Sequence, residues 1–168
     1  MRLSRKSEYG LRALLELTKA YEQVALRRSD IAEAQRIPLG FLETILLELK
    51  RAGILGSRPG AQGGYRLIKP PEDVSVGQVI RILDGPLAPI PCVSQTAYQT
   101  CQDCPYSEAR DCPIQNVMFD VRNAIAGVLD GYTLRAFYDR DRNRRVRKSL
   151  KRRRNNALGR TQGASDLL

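Results

Sequence analysis

Cys92, Cys101, Cys104 and Cys112 are the only thiols of this 168-residue chain, and all four fall within the 21 positions CVSQTAYQTCQDCPYSEARDC. Thiolate is a soft donor, and four of them in one loop suit a metal centre. An iron–sulfur cluster takes one such ligand per iron, and structural zinc takes four in a tetrahedron. Cys101 and Cys104, separated by two residues, can both turn toward one centre, which Cys92 and Cys112 close from either side. Cys112 stands at the first turn of an expected helix, whose positive end favours the negative charge of a thiolate-ligated group. The spacing C-x8-C-x2-C-x7-C also leaves open a reversible disulfide sensor and unliganded thiols.

The elements around this loop are mainly helical. Leu11, Leu14, Leu15, Leu17 and Ala20 mark the buried stripe of a first helix within residues 4–22. Ser29 or Asp30 can cap a short second helix over Ile31 to Gln35, with Asp30 and Glu33 at capping-box spacing. Arg36 and Ile37 make a turn, and Pro38 starts a third helix to about Ala52, stopped by Gly53. Two short helices joined by a tight turn read as helix-turn-helix. Ile54-Leu55 and Tyr65 to Ile68, separated by GSRPGAQGG, describe a hairpin wing with a flexible basic tip. Ser75 with Gln78 caps a further helix closed by Asp84-Gly85-Pro86.

Pro113 opens the most periodic segment of the chain. Ile114, Val117, Met118, Val121, Ile125, Val128 and Leu129 recur at helical spacing over roughly five turns. With no obvious local partner, that stripe is expected to pair with a second copy, making a homodimer. Gly131 interrupts the helix, and residues 133–138 are expected to fold back as a short one. From 140 onward apolar residues nearly vanish, so 140–168 reads as disordered.

A recognition helix reads base edges from its N-terminal half. With Leu39, Leu42, Ile45 and Leu46 expected to face inward, the readers are Pro38, Gly40, Phe41, Glu43 and Thr44. Glu43 can accept from a cytosine amino group, and Thr44 can bond or touch a thymine methyl. Phe41 either packs on a thymine methyl or is partly buried core. Arg2, Arg5, Lys6, Ser57, Arg58 and Gln62 are candidate phosphate or minor-groove contacts.

The formal charge of +10 belongs mostly to the tail. Residues 140–154 hold ten Lys/Arg against Asp141, and Arg160 cancels Asp166, which leaves +1 for residues 1–139. Such a tail adds sequence-independent phosphate attraction or simply solubility. No run of about 18 apolar residues offers a membrane span, and the N-terminus has no secretory h-region. A cytoplasmic, nucleoid-associated protein with reduced thiols is expected. There is no histidine, and no carboxylate pair or phosphate loop in a recognisable frame, so an enzyme is not expected.

The stretches MRLSRKSEYGLRALLEL, DIAEAQRIPLGFLETILLELKRAGIL, GSRPGAQGGYRL and SVGQVIRILDG, followed by cysteines before a long helix, resemble the Rrf2 family of winged-helix transcription regulators over about residues 1–138. The resemblance implies a homodimer with crossing long helices on double-stranded promoter DNA. It also implies an iron–sulfur cluster whose state sets DNA affinity, delivered by the iron–sulfur assembly machinery. Related cluster regulators typically use three cysteines, matching Cys92, one of Cys101 and Cys104, and Cys112. The fourth cysteine is then a spare ligand, and the histidine that some members use would fall near Gln115. In such regulators the position of Glu43 separates the target classes of cluster-bound and apo protein. The wing arginine, Arg58, stands one place early, before Pro59.

The sequence therefore reads as mainly α: a winged helix-turn-helix domain with a small β-hairpin wing (1–85), a cysteine-rich cluster loop (86–112), a dimerisation helix with a fold-back helix (113–138), and a basic tail (139–168). A four-iron cluster is preferred to a two-iron one, with zinc or a thiol sensor as alternatives. An iron–sulfur carrier that binds no DNA is the rival from another class.

Overall fold

The computed structural model describes residues 2–60, 63–106, 108, 111–144 and 147–148. Helix α1 (Arg5–Lys19) starts where the Ser4 hydroxyl accepts from the Ser7 amide, satisfying an otherwise orphaned N-terminal donor. It buries Leu11, Leu14 and Leu17 at the centre of the fold, against α2 (Arg28–Gln35), α3 (Leu39–Arg51) and α4 (Val76–Asp84). A Cβ at Gly10 would collide with Leu83 Cδ1, so the missing side chain lets α1 and α4 approach closely.

The turn between α2 and α3 closes with Arg36 in the left-handed region (φ 51) and the Ile37 amide donating to Ala32 O at 2.9 Å. Helix α2 begins earlier than the sequence suggests. Arg27 is its N-cap, without a side-chain bond, and the Ile31 amide goes to Arg27 O. The Ser29 hydroxyl is turned to the Asp30 carboxylate instead of capping the helix. Pro38 caps α3 from outside its first turn, and Gly53, at φ 70, ends it as expected.

The wing is an antiparallel pair, β1 (Leu55–Arg58) and β2 (Gly64–Leu67), in register Leu55 to Leu67 and Arg58 to Gly64. Leu26, just before α2, adds a third rung: its amide donates to Tyr65 O at 2.9 Å and Tyr65 returns the bond at 2.8 Å. A Cβ at Gly64 would strike the Leu26 carbonyl. Gly64→Ala should therefore force the backbones apart and cost about 1–3 kcal/mol, read as a lower denaturant midpoint with an unchanged slope.

Helix α4 is capped by Ser75, whose hydroxyl accepts from the Gln78 amide at 3.0 Å. Helix α5 (Pro113–Gly131) starts at the cysteine loop and returns the chain to the body. Beyond it, Val76 N donates to Tyr132 O and Leu134 N to Val74 O, both at 2.8 Å, and Leu134 is buried in the core. Residues 134–144 are helical. The expected fold-back helix is thus longer than read. Residues 140–144, expected to be disordered, continue it, because arginines and carboxylates without proline or glycine are compatible with helix even where apolar residues are absent. The remainder of the expected disordered stretch, save residues 147–148, lies outside the described residues.

Asp130 on α5 is held by Arg81 on α4 through two bonds, 2.6 Å and 2.8 Å, and Ser75 donates to the same carboxylate at 3.4 Å. The bond from Arg81 chiefly holds the Asp130 carboxyl below its ordinary value. The sign follows. A group whose pKa falls on folding contributes stability that is complete above the ordinary carboxylate range and lost as pH drops through the folded value. The pair is partly exposed, so its worth is about 1 kcal/mol or less. Asp130→Asn should lower stability by that amount near pH 7, with the difference from the native protein vanishing in acid. Urea titrations across pH check it.

Candidate DNA-reading face and cysteine loop

Helix α3 buries Leu42, Ile45, Leu46 and Leu49 and turns its other face outward. Pro38, Gly40, Phe41 and Thr44 are exposed on that face and Glu43 is half-exposed. Phe41 is 44% exposed and held edge-on by Tyr9 of α1, with ring centroids 5.6 Å apart, so the aromatic edge is fixed and presented outward. Thr44 Oγ1 leans back to Gly40 O at 3.4 Å. Leu39, expected to face inward, is exposed instead. It lies in the first turn of α3, ahead of the buried run that starts at Leu42.

Glu43 is ion-paired to Arg28 of α2 at 3.0 Å. Sequence reading missed Arg28, since nothing local to either residue signals a pairing across the turn. The outward carboxylate is thus balanced and oriented by a cation of α2. Lys6 is engaged by Glu48 at 2.9 Å, which makes it a brace between α1 and α3 as well as a candidate contact. Ser57 accepts from Lys50 at 2.6 Å and ties the wing to the end of α3. Arg2, Arg5 and Arg58 are exposed, and Gln62 lies outside the described residues. Ser4 binds the Asp84 carboxylate through its amide and its hydroxyl, which fixes the start of the N-terminal arm to the end of α4.

The four cysteines line one cavity of about 80 Å³, together with Tyr98, Thr100, Tyr106 and Gln115. A water needs roughly 10–15 Å³ on this measure, so the space suits a group of several atoms. Cys92 is buried in a short 3-10 turn (Pro91–Val93), Cys101 and Cys104 are exposed, and Cys112 is intermediate. Asp103, at φ 55, makes the tight turn that brings Cys101 and Cys104 to the same rim. Aspartate tolerates that conformation better than most residues.

Cys112 is the N-cap of α5: its sulfur accepts from the Gln115 amide at 3.5 Å. The Gln115 side chain donates to Cys92 O at 2.8 Å, locking the far wall of the cavity to the helix start. The Sγ atoms of Cys92 and Cys101 are 3.7 Å apart. Cys92 chiefly pushes the Cys101 thiol up, by accepting its hydrogen bond and by charge, with burial and Cys112 adding and Cys104 opposing. Among the described residues no three Cys, Asp or Glu side chains are gathered closely enough to hold a metal ion. The four thiols are soft donors around one cavity, the donor type that a thiolate-held group would need.

Along α5, Ile114, Val117, Val121 and Val128 are exposed, Ile114 at 65%. Met118 is half-buried. Ile125, expected in the same outward stripe, is half-buried against this chain's own core beside Leu129 and Phe137. The helix has two apolar faces, and periodicity alone merged them.

A helix-turn-helix followed by a hairpin wing defines a winged-helix DNA-binding protein. The profile of the Rrf2 family, described as iron-dependent transcriptional regulators, matches residues 3–140. The rrf2-like HTH-type transcriptional regulator of Rhodobacter capsulatus is 42% identical over 135 residues, covering 79% of this chain and 89% of that one. CymR, the global cysteine regulator of Bacillus subtilis, superposes with TM-score 0.67 at 28% identity, over 83% of this chain and 97% of that one. IscR of T. potens gives TM-score 0.65 at 28% identity, over 84% and 88%. The chain belongs to the Rrf2 family and is a DNA-binding transcriptional regulator.

Proposed function

We propose that the Cys92–Cys112 loop holds an iron–sulfur cluster, and that its presence sets how tightly a homodimer of this chain binds promoter DNA. The observation that carries this reading is the single cavity lined by all four cysteines at the start of α5. The iron-dependent description of the family and the likeness to an IscR support it. Cys92, Cys112 and one or both of Cys101 and Cys104 would be the ligands, and when bound the cluster would supply a redox-active, oxygen-labile centre. Cys112 offers its thiolate at a helix N-terminus, where negative charge is favoured. Gln115 keeps Cys92 and Cys112 in step, so a change at the thiols reaches α5 directly.

Helix α5 then carries that change to the DNA-binding body through the Asp130–Arg81 pair and the Ser75–Thr133 bridge. Helix α4 passes it to the N-terminal arm through Asp84 and Ser4. Ile114, Val117, Val121 and Val128 form the face that meets the second copy. Phe41, Glu43 and Thr44 read bases, while Arg2, Arg5 and Arg58 meet the backbone. The protein works in the cytoplasm, with the iron–sulfur assembly machinery as cluster donor. Oxygen-free purification from iron-replete cells tests the reading: brown protein with equal iron and acid-labile sulfide supports it, and colourless protein with stoichiometric zinc removes it.

One observation favours a second reading, a thiol switch. The Cys92 and Cys101 sulfurs are in van der Waals contact, and the fold is also that of a cysteine regulator. Peroxide would then oxidise this pair to a disulfide, releasing water, and the apo protein alone would respond.

A further inference from the structure

Arg122 is 5% exposed, the one buried residue of α5, yet its Nε and Nη1 meet no acceptor among the described residues. Guanidinium stays charged at any physiological pH, so it cannot escape burial by losing its proton. Its plane lies over the Phe119 ring, 4.4 Å from the centroid. That contact offsets only part of the cost of an unpaired buried charge. The side chain lines two cavities that share Gln95. The larger, about 300 Å³, is walled by Ser94, Gln95, Tyr98, Gln115, Asn116 and Phe119, with Cys92 at its edge. Among the described residues no carboxylate lines either cavity. Among the described lining residues the other cation, Arg81, is already held by both oxygens of Asp130. The site therefore carries one uncompensated positive charge next to a space of small-metabolite size.

We propose that this cavity binds a small organic acid, its carboxylate taken by the Arg122 guanidinium. One guanidinium matches one carboxylate in charge and in fork geometry, whereas a phosphate dianion would leave a charge uncompensated. Tyr98 and Phe119 supply apolar walls for the body of the acid, and Ser94 and Gln95 supply polar ones. The ligand sits between the turn that carries Cys92 and the helix that carries Cys112. Its binding thus holds the cysteine loop against α5 and reports metabolite supply to the same lever that the thiols move. The inference does not require a cluster, because the cavity is built by residues beside the thiols.

Thermal unfolding of the full-length apo protein, at constant ionic strength, tests it with acetate, pyruvate, benzoate and inorganic phosphate as probes. At ten times Kd a carboxylate should raise Tm by about 3–6 °C, saturably. Arg122→Met should abolish that rise, and should itself melt above the native protein without added acid, since the unpaired charge is gone. Three results overturn the proposal: no saturable rise with any carboxylate, an equal rise in Arg122→Met, or phosphate matching the best carboxylate. A concentration-dependent fall in Tm on Arg122→Met, with no probe effect, overturns it too, by showing the guanidinium held by an acid of the second copy. Loss of colour in Cys92→Ser bears on the cluster alone, so the two readings fail separately.

Discussion

Cys92→Ser protein purified without oxygen should be colourless and should bind DNA as apo protein does. Cys92 is the buried wall of the cavity, and its carbonyl is tied to Gln115, so no neighbouring thiol can take its place. Serine oxygen is a hard, poorly ionised donor and a weak substitute for thiolate toward iron. Cys112→Ser should act alike, with an added but small change at the N-cap, where serine is itself a good cap. Cys101→Ser and Cys104→Ser should each leave part of the colour, because both stand exposed on one rim and either can serve when the other is gone. Visible absorbance with iron and sulfide assay gives the comparison. Four equal losses would refute the spare ligand and require all four thiols at once.

Phe41→Ala should weaken specific DNA binding by roughly ten- to hundred-fold, the worth of about 1–3 kcal/mol for one good base contact. The ring is held edge-on by Tyr9 but is otherwise aimed away from the core, so one aromatic contact is what the fold would lose. Alanine there should cost the fold little, so unfolding and DNA affinity should separate. Glu43→Ala should act differently, leaving affinity for the best site near native while relaxing selection at one base pair, because the carboxylate rejects as well as selects. Arg28→Ala should unbalance Glu43 and weaken all sites together. Fluorescence anisotropy across single-base site variants distinguishes these outcomes, and an unchanged profile in Glu43→Ala removes its reading role.

Much of the fold was legible because its signals are local. The Ser75–Gln78 cap, Gly53 past α3, and Pro113 opening α5 each rest on residues within one turn of the feature they set. The cysteine cavity was legible for the same reason, since 21 adjacent positions hold its thiols. What escaped was long-range. The Leu26 rung on the wing, the Arg28–Glu43 pair and the Ser75–Thr133 bridge join segments whose proximity only the packed fold decides. Nothing near Arg122 in the sequence signals its burial, which depends on how the chain around Ser94, Gln95 and Tyr98 lies against α5. Ile125 shows the same limit from the apolar side, as one periodic stripe divides between this chain's core and an exposed face.

A contact path runs from the thiols to the N-terminal arm: Cys112 to α5, Asp130 to Arg81, Asp84 to Ser4. It predicts that loading the loop changes DNA affinity without changing any group that touches DNA. The direct measurement takes sites selected from random-sequence DNA by cluster-loaded and apo protein, then measures the affinity of each form for each site, anaerobically and at fixed salt. A difference of about tenfold or more for at least one site class, corresponding to about 1.4 kcal/mol of coupling, is the expected result. Equal affinities of the two forms for every selected site would contradict it.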